Sequence, residues 1–426
     1  MFLLQLLVFM PVVLFLVLLL VLFLVLYLVL VQHKSWTPVP AGIKQPGKLR
    51  MLQLSYFVVV TGAFLLERVG VGHHITLMRW YFNNVERLMK NLTPTQDGKV
   101  LRVSDVTFDG VPVRVYEPRG GEERGLKRGL LYLHGGGWTY GSAKEGSCDA
   151  HNRTTADQLH AVVVSVEYGL YPEVQFPRQY LDCLAAAKHF LSPEVLAKYG
   201  VDPCRVGVSG DSAGGNLAAA VAQEISGDDN TSVKFSAQAL IYPALQAVDF
   251  NTPSYRRNQD VLMLSRSLMV DFWLQYLGQD RSFKDHFLSN RHQAAVSPQL
   301  RARADWTALL PPRYKEGHQF FPPRDRTPSE GLGVPGLQDV RAAPLLASSE
   351  VLARCPRAYV VTCEYDVLRD DGLMYAQRLK DAGVAVTADH YEDGFHGCFS
   401  LTLVPFRFDL GVKTFRRYVR WLHDNL

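Results

Sequence analysis

The stretch VGVSGDSAGGNLAAAVA, residues 206–222, constrains the fold more than any other part of this chain. An apolar strand ending near Ser209 runs into Gly210-Asp211-Ser212-Ala213-Gly214, and an alanine-rich helical pattern follows at once. Strand, glycine-lined turn and helix in direct succession are what a nucleophile elbow requires. The glycines let the backbone reverse sharply, and the helix that follows offers free N–H groups and a positive dipole end to a developing oxyanion. Ser212 is therefore a candidate nucleophile, and the N–H of Ala213 a candidate oxyanion donor.

The flanking pattern predicts the sheet such an elbow needs. VSDVTFDGVPVRVYEP, residues 103–118, alternates about Asp109-Gly110 and predicts a hairpin. Apolar runs follow at 129–133, 161–166, 205–208, 235–242 and 358–363, with a last short strand expected near 384–391. Helical patterns such as QYLDCLAAAKHFL, from Gln179, lie between several of them. Continuous apolar strands alternating with helices predict an α/β fold with a mostly parallel sheet covered on both faces. Residues 250–345 break the rhythm and read as a helical cap inserted into a catalytic domain spanning 101–426. Within the cap, the Pro-, Arg- and Gly-rich stretch 311–336 reads as a loop.

A nucleophilic serine needs a base, and the base needs an orienting carboxylate. Among 13 histidines, His396 stands out: in EDGFHGCFS it follows an expected strand and is bracketed by Gly394 and Gly397. His390 falls inside that strand, where packing or pairing accounts for it, and His134 precedes the serine inside a glycine run. In VVTCEYDVLRDDG, Asp366 comes just past an apolar strand, whereas Asp370 and Asp371 open the next helix and read as caps. The order Ser212, Asp366, His396 is that of α/β-hydrolases. In that arrangement the second oxyanion donor comes from the loop after the third strand, here LHGGGWTYGS at 133–142. Gly135, Gly136 and Gly137 are the candidates, with Gly136 and Gly137 preferred; side chains there would keep a carbonyl from the backbone.

The amino terminus carries a separate signal. Phe2 to Val31 are 30 residues without a charge, enough to span a bilayer as a helix. No basic n-region or small-residue cleavage site accompanies them, so residues 1–31 read as an uncleaved signal anchor. Its orientation is contested. Lys34, Lys44, Lys48 and Arg50 follow the span, favouring a cytosolic body, whereas the sequons at Asn91, Asn152 and Asn230 favour a luminal one. Residues 32–48 read as a linker, within a 32–100 region that also carries cap helices. The apolar stretch of about 16 residues from Met51 is short for a span and reads as a buried or interface-lying helix. Six cysteines show no metal spacing, so no metal and no cofactor is expected. With 45 basic against 41 acidic residues and no like-charge block, nothing points to nucleic acid.

H-G-G-G-W, G-D-S-A-G-G-N, D-V-L-R-D-D-G and D-G-F-H-G together resemble the hormone-sensitive lipase group of esterases, and within it the arylacetamide deacetylase-like proteins. EYGLYPEVQFPRQYLDC, 167–183, is similar to that family's Y-x-L-A-P-E-x-x-F-P segment, with Tyr171 in place of alanine. The likeness covers roughly residues 100–426. It implies an α/β-hydrolase fold, Ser212 as nucleophile, Asp366 as acid, His396 as base, and Gly136, Gly137 and Ala213 as oxyanion donors. It also implies a small lipophilic ester or amide as substrate and an endoplasmic reticulum membrane protein with a single-pass type II anchor and luminal catalytic domain. A neutral lipid or cholesteryl ester hydrolase is the alternative; a non-catalytic binding protein on the same fold is the rival of another class.

Overall fold

The computed structural model describes residues 39–92, 101–120, 125–144, 146–261, 263–319 and 334–426. The expected anchor at 1–31 lies outside the described residues, as does 320–333, most of the 311–336 loop.

Asp109 and Gly110 both take positive φ, 44° and 82°, which lets β1 (Leu101–Phe108) reverse directly into β2 (Val111–Pro118) as an antiparallel pair. The other strands are β3 (Lys127–Leu133), β4 (Ala161–Val166), β5 (Val201–Asp211), β6 (Ala237–Ile241), β7 (Arg357–Tyr365) and β8 (Val386–Phe395). They form one eight-stranded sheet in the order β1-β2-β4-β3-β5-β6-β7-β8, in which β2 pairs antiparallel with β4 and every later pairing is parallel. The mostly parallel sheet is as the sequence pattern predicts. β5 and β8 run longer than the apolar residues alone suggest: β5 begins at Val201 and β8 continues to Phe395, so Gly394 belongs to a strand.

β3 shows why its residues are apolar throughout. Leu131 and Leu133 enter one core and Leu130 and Tyr132 the other, the two-residue alternation of a strand buried on both sides. Helices α4 (Arg178–Phe190), α5 (Ala213–Gly227) and α7 (Arg369–Asp381) contribute to the first core. Helices α3 (Gly146–Leu159) and α8 (Asp409–Asn425) contribute to the second. Two further helices, α1 (Pro46–Arg68) and α2 (His74–Leu92), precede the sheet. α1 starts inside the expected linker, and only Leu49 and Ala63 along it are buried, so it is not a core helix.

Between β6 and β7 the chain makes a series of short helices, of which α6 (Arg266–Tyr276) is the longest. This excursion is fixed to the sheet by the two aspartates at the start of α7, which do not cap it as expected. Both are fully buried. Asp370 accepts from the Ser254 N–H at 2.6 Å; Asp371 accepts from the Leu245 N–H at 3.0 Å and from Gln246 Nε2 at 2.9 Å. Burial pushes the Asp371 carboxyl up to about 8 despite those bonds. The chain leaving β6 is thus held against α7.

Candidate active site

β3 and β5 are neighbours, with Leu133 opposite Gly210, so the glycine run and the serine turn leave the sheet side by side. Their approach leaves no room for side chains. A Cβ on Gly214 would lie 2.0 Å from the Leu133 carbonyl oxygen, and one on Gly210 would lie 2.2 Å from that of Gly214. Ser212 between them is held at φ 54°, ψ −118°, a conformation a serine adopts only when its surroundings enforce it. Its N–H donates to the Ile241 carbonyl at 2.9 Å, and its own carbonyl accepts from the Asn216 N–H at 3.0 Å. The Oγ is left at the carboxyl edge of the sheet.

β7 and β8 bring the other two groups. Asp366 is the first residue past β7 and His396 the first past β8. Ser212 Oγ lies 2.9 Å from His396 Nε2, and His396 Nδ1 lies 2.9 Å from Asp366 Oδ2. The second carboxylate oxygen of Asp366 accepts from the Leu368 N–H at 2.9 Å, and the side chain is 1% exposed. Asn258, from the β6–β7 excursion, donates through Nδ2 to the carbonyls of Glu364 (2.8 Å) and Asp366 (3.0 Å). His390 is paired elsewhere, with Thr362 Oγ1 at 3.0 Å and Glu364 Oε2 at 3.2 Å. His134 is buried, stacked on Tyr168 at 4.3 Å, with Nδ1 2.8 Å from the Gly135 carbonyl oxygen.

The three glycines after His134 differ in role. The Gly135 N–H donates to Asp211 Oδ1 at 2.9 Å, so its only donor is taken and it drops out of the expected oxyanion set. Among the described residues, the N–H groups of Gly136 and Gly137 donate to no protein acceptor. Ala213, first residue of α5, has no intrahelical acceptor for its N–H. Gly136 and Gly137 are also required by conformation, with φ of 113° and 62°. A Cβ on Gly136 would meet the Tyr140 carbonyl at 2.2 Å, and one on Gly137 the Phe272 ring at 2.6 Å, so alanine there disturbs the loop itself.

Asp211, which the motif leaves unspecified, is the residue that sequence reasoning passes over. Its Oδ1 accepts from both the Tyr132 hydroxyl (2.8 Å) and the Gly135 N–H. Burial raises its carboxyl above the usual range, against the opposing bonds from Tyr132 and Gly135. Asp211, the residue directly before the nucleophile, ties the glycine loop to it.

Over the serine lies a cavity of about 370 Å³ with largely apolar walls from α1, α2 and α6, together with Met263, Leu401 and Phe406. A larger groove lies beyond β8, lined by charged side chains such as Lys44, Asp389 and Arg417 and away from Ser212. His151, on α3, also lines the cavity. It is buried, with Nε2 2.7 Å from Thr402 Oγ1, and burial lowers it to about 3. Next to it, Asn152 is 1% exposed and donates Nδ2 to Cys148 Sγ at 3.3 Å, so the folded chain has no room for a glycan there. Asn230 is exposed, and the Asn91 side chain lies outside the described residues.

Two predictions follow from this geometry. Asp211→Ala removes the tether and lowers kcat by about 10²-fold with little change in KM, whereas Asp211→Asn, which keeps Oδ1, retains most of the activity. Equal losses in both variants contradict the positioning role. His151 binds a proton in the unfolded chain below about pH 6.5 but in the folded chain only near 3. Its contribution is therefore complete above pH 6.5 and lost as pH falls toward 3, by at most about 1.4 kcal/mol per pH unit. Urea unfolding of wild type and His151→Gln between pH 7.5 and 5 reads this as a narrowing stability gap on acidification; a constant gap contradicts it.

The α/β hydrolase fold family pattern matches residues 130–312 and 329–400. The neutral cholesterol ester hydrolase 1 of Bos taurus is 43% identical over 402 residues, covering 93% of this chain and 97% of its own. The arylacetamide deacetylase of Oryctolagus cuniculus is 44% identical over 391 residues, covering 92% and 96%. Among solved structures, an esterase of Pyrobaculum calidifontis aligns with a TM-score of 0.60 and 28% identity over 82% of this chain and 92% of its own. A thermostable carboxylesterase from a metagenomic library aligns at 0.61 and 28% over 83% and 97%. The chain belongs to the α/β-hydrolase family, in the branch that holds the arylacetamide deacetylases and neutral cholesterol ester hydrolases.

Proposed function

We propose that this protein is a membrane-anchored serine hydrolase that cleaves lipophilic carboxylic esters, with aryl amides as a second substrate class. The observation that carries the reading is the Ser212–His396–Asp366 hydrogen-bond chain, with Gly136 and Gly137 lining the same cavity and Ala213 opening the helix after the serine. His396 Nε2 takes the Ser212 proton as Oγ attacks the substrate carbonyl carbon, and the carbonyl π pair moves onto oxygen. Gly136, Gly137 and Ala213 hold that oxyanion. Its collapse expels the alcohol, which leaves with the proton from His396, and an acyl-Ser212 remains. His396 then deprotonates water, which attacks the acyl carbonyl; the acid departs and the Ser212 hydroxyl is restored. Asp366 keeps Nδ1–H toward itself and stabilises the transient imidazolium.

The largely apolar cavity supports lipophilic substrates. Relatives named for a sterol ester and for an aryl amide are equally similar to this chain, so both belong in the assay. A residual binding protein on the same fold is the rival. A fluorophosphonate probe separates the two: wild type is labelled and Ser212→Ala is not, with kcat down by about 10⁶-fold in the variant. Absence of labelling in wild type favours the binding protein. A panel from short acyl to sterol esters, plus an aryl acetamide, then ranks the substrates.

The same proposal places the body of the protein in the endoplasmic reticulum lumen on a type II anchor at residues 1–31. Exposed Asn230 in an Asn-Thr-Ser sequon supports it, and the lysines after the span oppose it. Endoglycosidase digestion of the expressed chain gives a mobility shift that Asn230→Gln reduces and Asn152→Gln does not. An unshifted chain removes the luminal placement's main local support.

A further inference from the structure

The sequence from Met51 to Leu66 is uncharged, and it lies within α1, a helix of 23 residues, about 34 Å long. Among the described residues it is the one helix long and apolar enough to cross a membrane. Its surroundings argue for a different placement. Leu52, Ser55, Tyr56 and Val59, at i, i+3, i+4 and i+7, form one stripe along the helix, and all four line the cavity that contains Ser212 and His396. Tyr81, Phe82 and Val85 of α2 line the same cavity. The first end of α1 is fastened to the hydrolase body: Lys48 Nζ donates to the Arg407 carbonyl at 2.7 Å, and Gln45 Oε1 accepts from the Asp409 N–H at 2.9 Å. At the other end Glu67 accepts from the His74 backbone N–H at 3.2 Å, which folds α2 back. A helix bound in this way cannot cross a bilayer and remain the wall of the cavity.

Among the described residues α1 is otherwise mostly half-buried, but its last turns are left partly uncovered. Phe64 and Leu66 are exposed, and the apolar rim continues through Val69 (74% exposed) and Val71 in the turn to Trp80 (67% exposed) on α2. Several exposed large apolar side chains grouped at one helix end and the turn after it mark an interaction surface. Chain length identifies what covers it. The uncharged segment ends at Val31 and α1 begins at Pro46, so the connection spans at most about 50 Å when fully extended. The start of α1 is therefore kept within about 50 Å of the proposed anchor at 1–31, and the rim, about 30 Å further along the helix, within about 80 Å.

We propose that α1 and the turn after it lie in the bilayer surface, and that apolar substrates pass from lipid past α1 into the cavity over Ser212. The lipid-phase route rests on the hydrolase reading above, and the docking of α1 rests on the proposed anchor at 1–31 but not on the activity. In this arrangement the wall of the acyl cavity is also the membrane-docking element.

The test uses the full chain in phosphatidylcholine vesicles, with exposed Cys204 replaced by Ser so that introduced cysteines take the nitroxide label. Labels at Leu66→Cys, Val69→Cys and Trp80→Cys are expected to meet oxygen in preference to a water-soluble nickel chelate, and a control label at Glu194→Cys the reverse. In parallel, Leu66→Glu/Val69→Glu lowers hydrolysis of a long-chain ester dissolved in the vesicles by about tenfold. It leaves hydrolysis of water-soluble p-nitrophenyl acetate unchanged. Chelate-accessible labels at 66 and 69 overturn the proposal, as do equal losses on both esters. Label depth that passes from one membrane face to the other along α1 overturns it in favour of a crossing helix. Spin–spin broadening that survives dilution in lipid overturns it in favour of a second copy on the rim. If wild type hydrolyses neither ester, the hydrolase reading fails, and label depth alone decides the docking.

Discussion

Everything at the site depends on how closely two backbone turns approach each other. The exit of β3 and the turn after β5 are in contact, with the Leu133 carbonyl where a Gly214 side chain would begin. Only glycine permits that contact, and it does three things at once. It aims Ser212 off the sheet in a backbone conformation that serine otherwise avoids, brings the glycine run alongside, and starts α5 directly after the serine. The site is built from main chain first and side chains second.

Burial then decides which side chains matter. Asp211 and Asp366 are both withdrawn from water, but each has its hydrogen-bond partners: Tyr132 and Gly135 for the first, Leu368 and His396 for the second. A buried carboxylate without partners would be costly, so each one seen here marks a fixed geometry. Asp370 and Asp371 apply the same logic at a distance, holding the chain after β6 and Ser254 of the excursion against α7. Asn258 of that excursion reaches the backbone of Asp366, so the segment that helps roof the cavity also braces the acid.

Much of this was legible in the sequence because strand, glycine turn and helix are local patterns. The alternation about Asp109-Gly110, the continuous apolar strands, the serine turn and the loop positions of Asp366 and His396 follow from residue spacing. What was not legible depends on contacts between distant segments. Asp211 carries no local signal because its partners, Tyr132 and Gly135, are more than seventy residues away. Gly135 stands among the three candidates in the sequence, and only its bond to Asp211 shows that its donor is taken. Asp370 and Asp371 read as caps because a helix start explains aspartates locally, whereas each also accepts from backbone N–H groups over 110 positions away. The sequon at Asn152 is identical in kind to that at Asn230, and only packing separates a buried asparagine from an exposed one.

The central claim is that Ser212 attacks a carbonyl whose oxygen settles on main-chain amides. A crystal structure of the protein inactivated with a dialkyl phosphate ester tests it most directly. The account predicts a phosphorus bound to Ser212 Oγ, with the phosphoryl oxygen about 2.7–3.1 Å from the N–H groups of Gly136, Gly137 and Ala213, and the Gly135 N–H still on Asp211. An adduct on another residue, or a phosphoryl oxygen turned away from those amides, would contradict it.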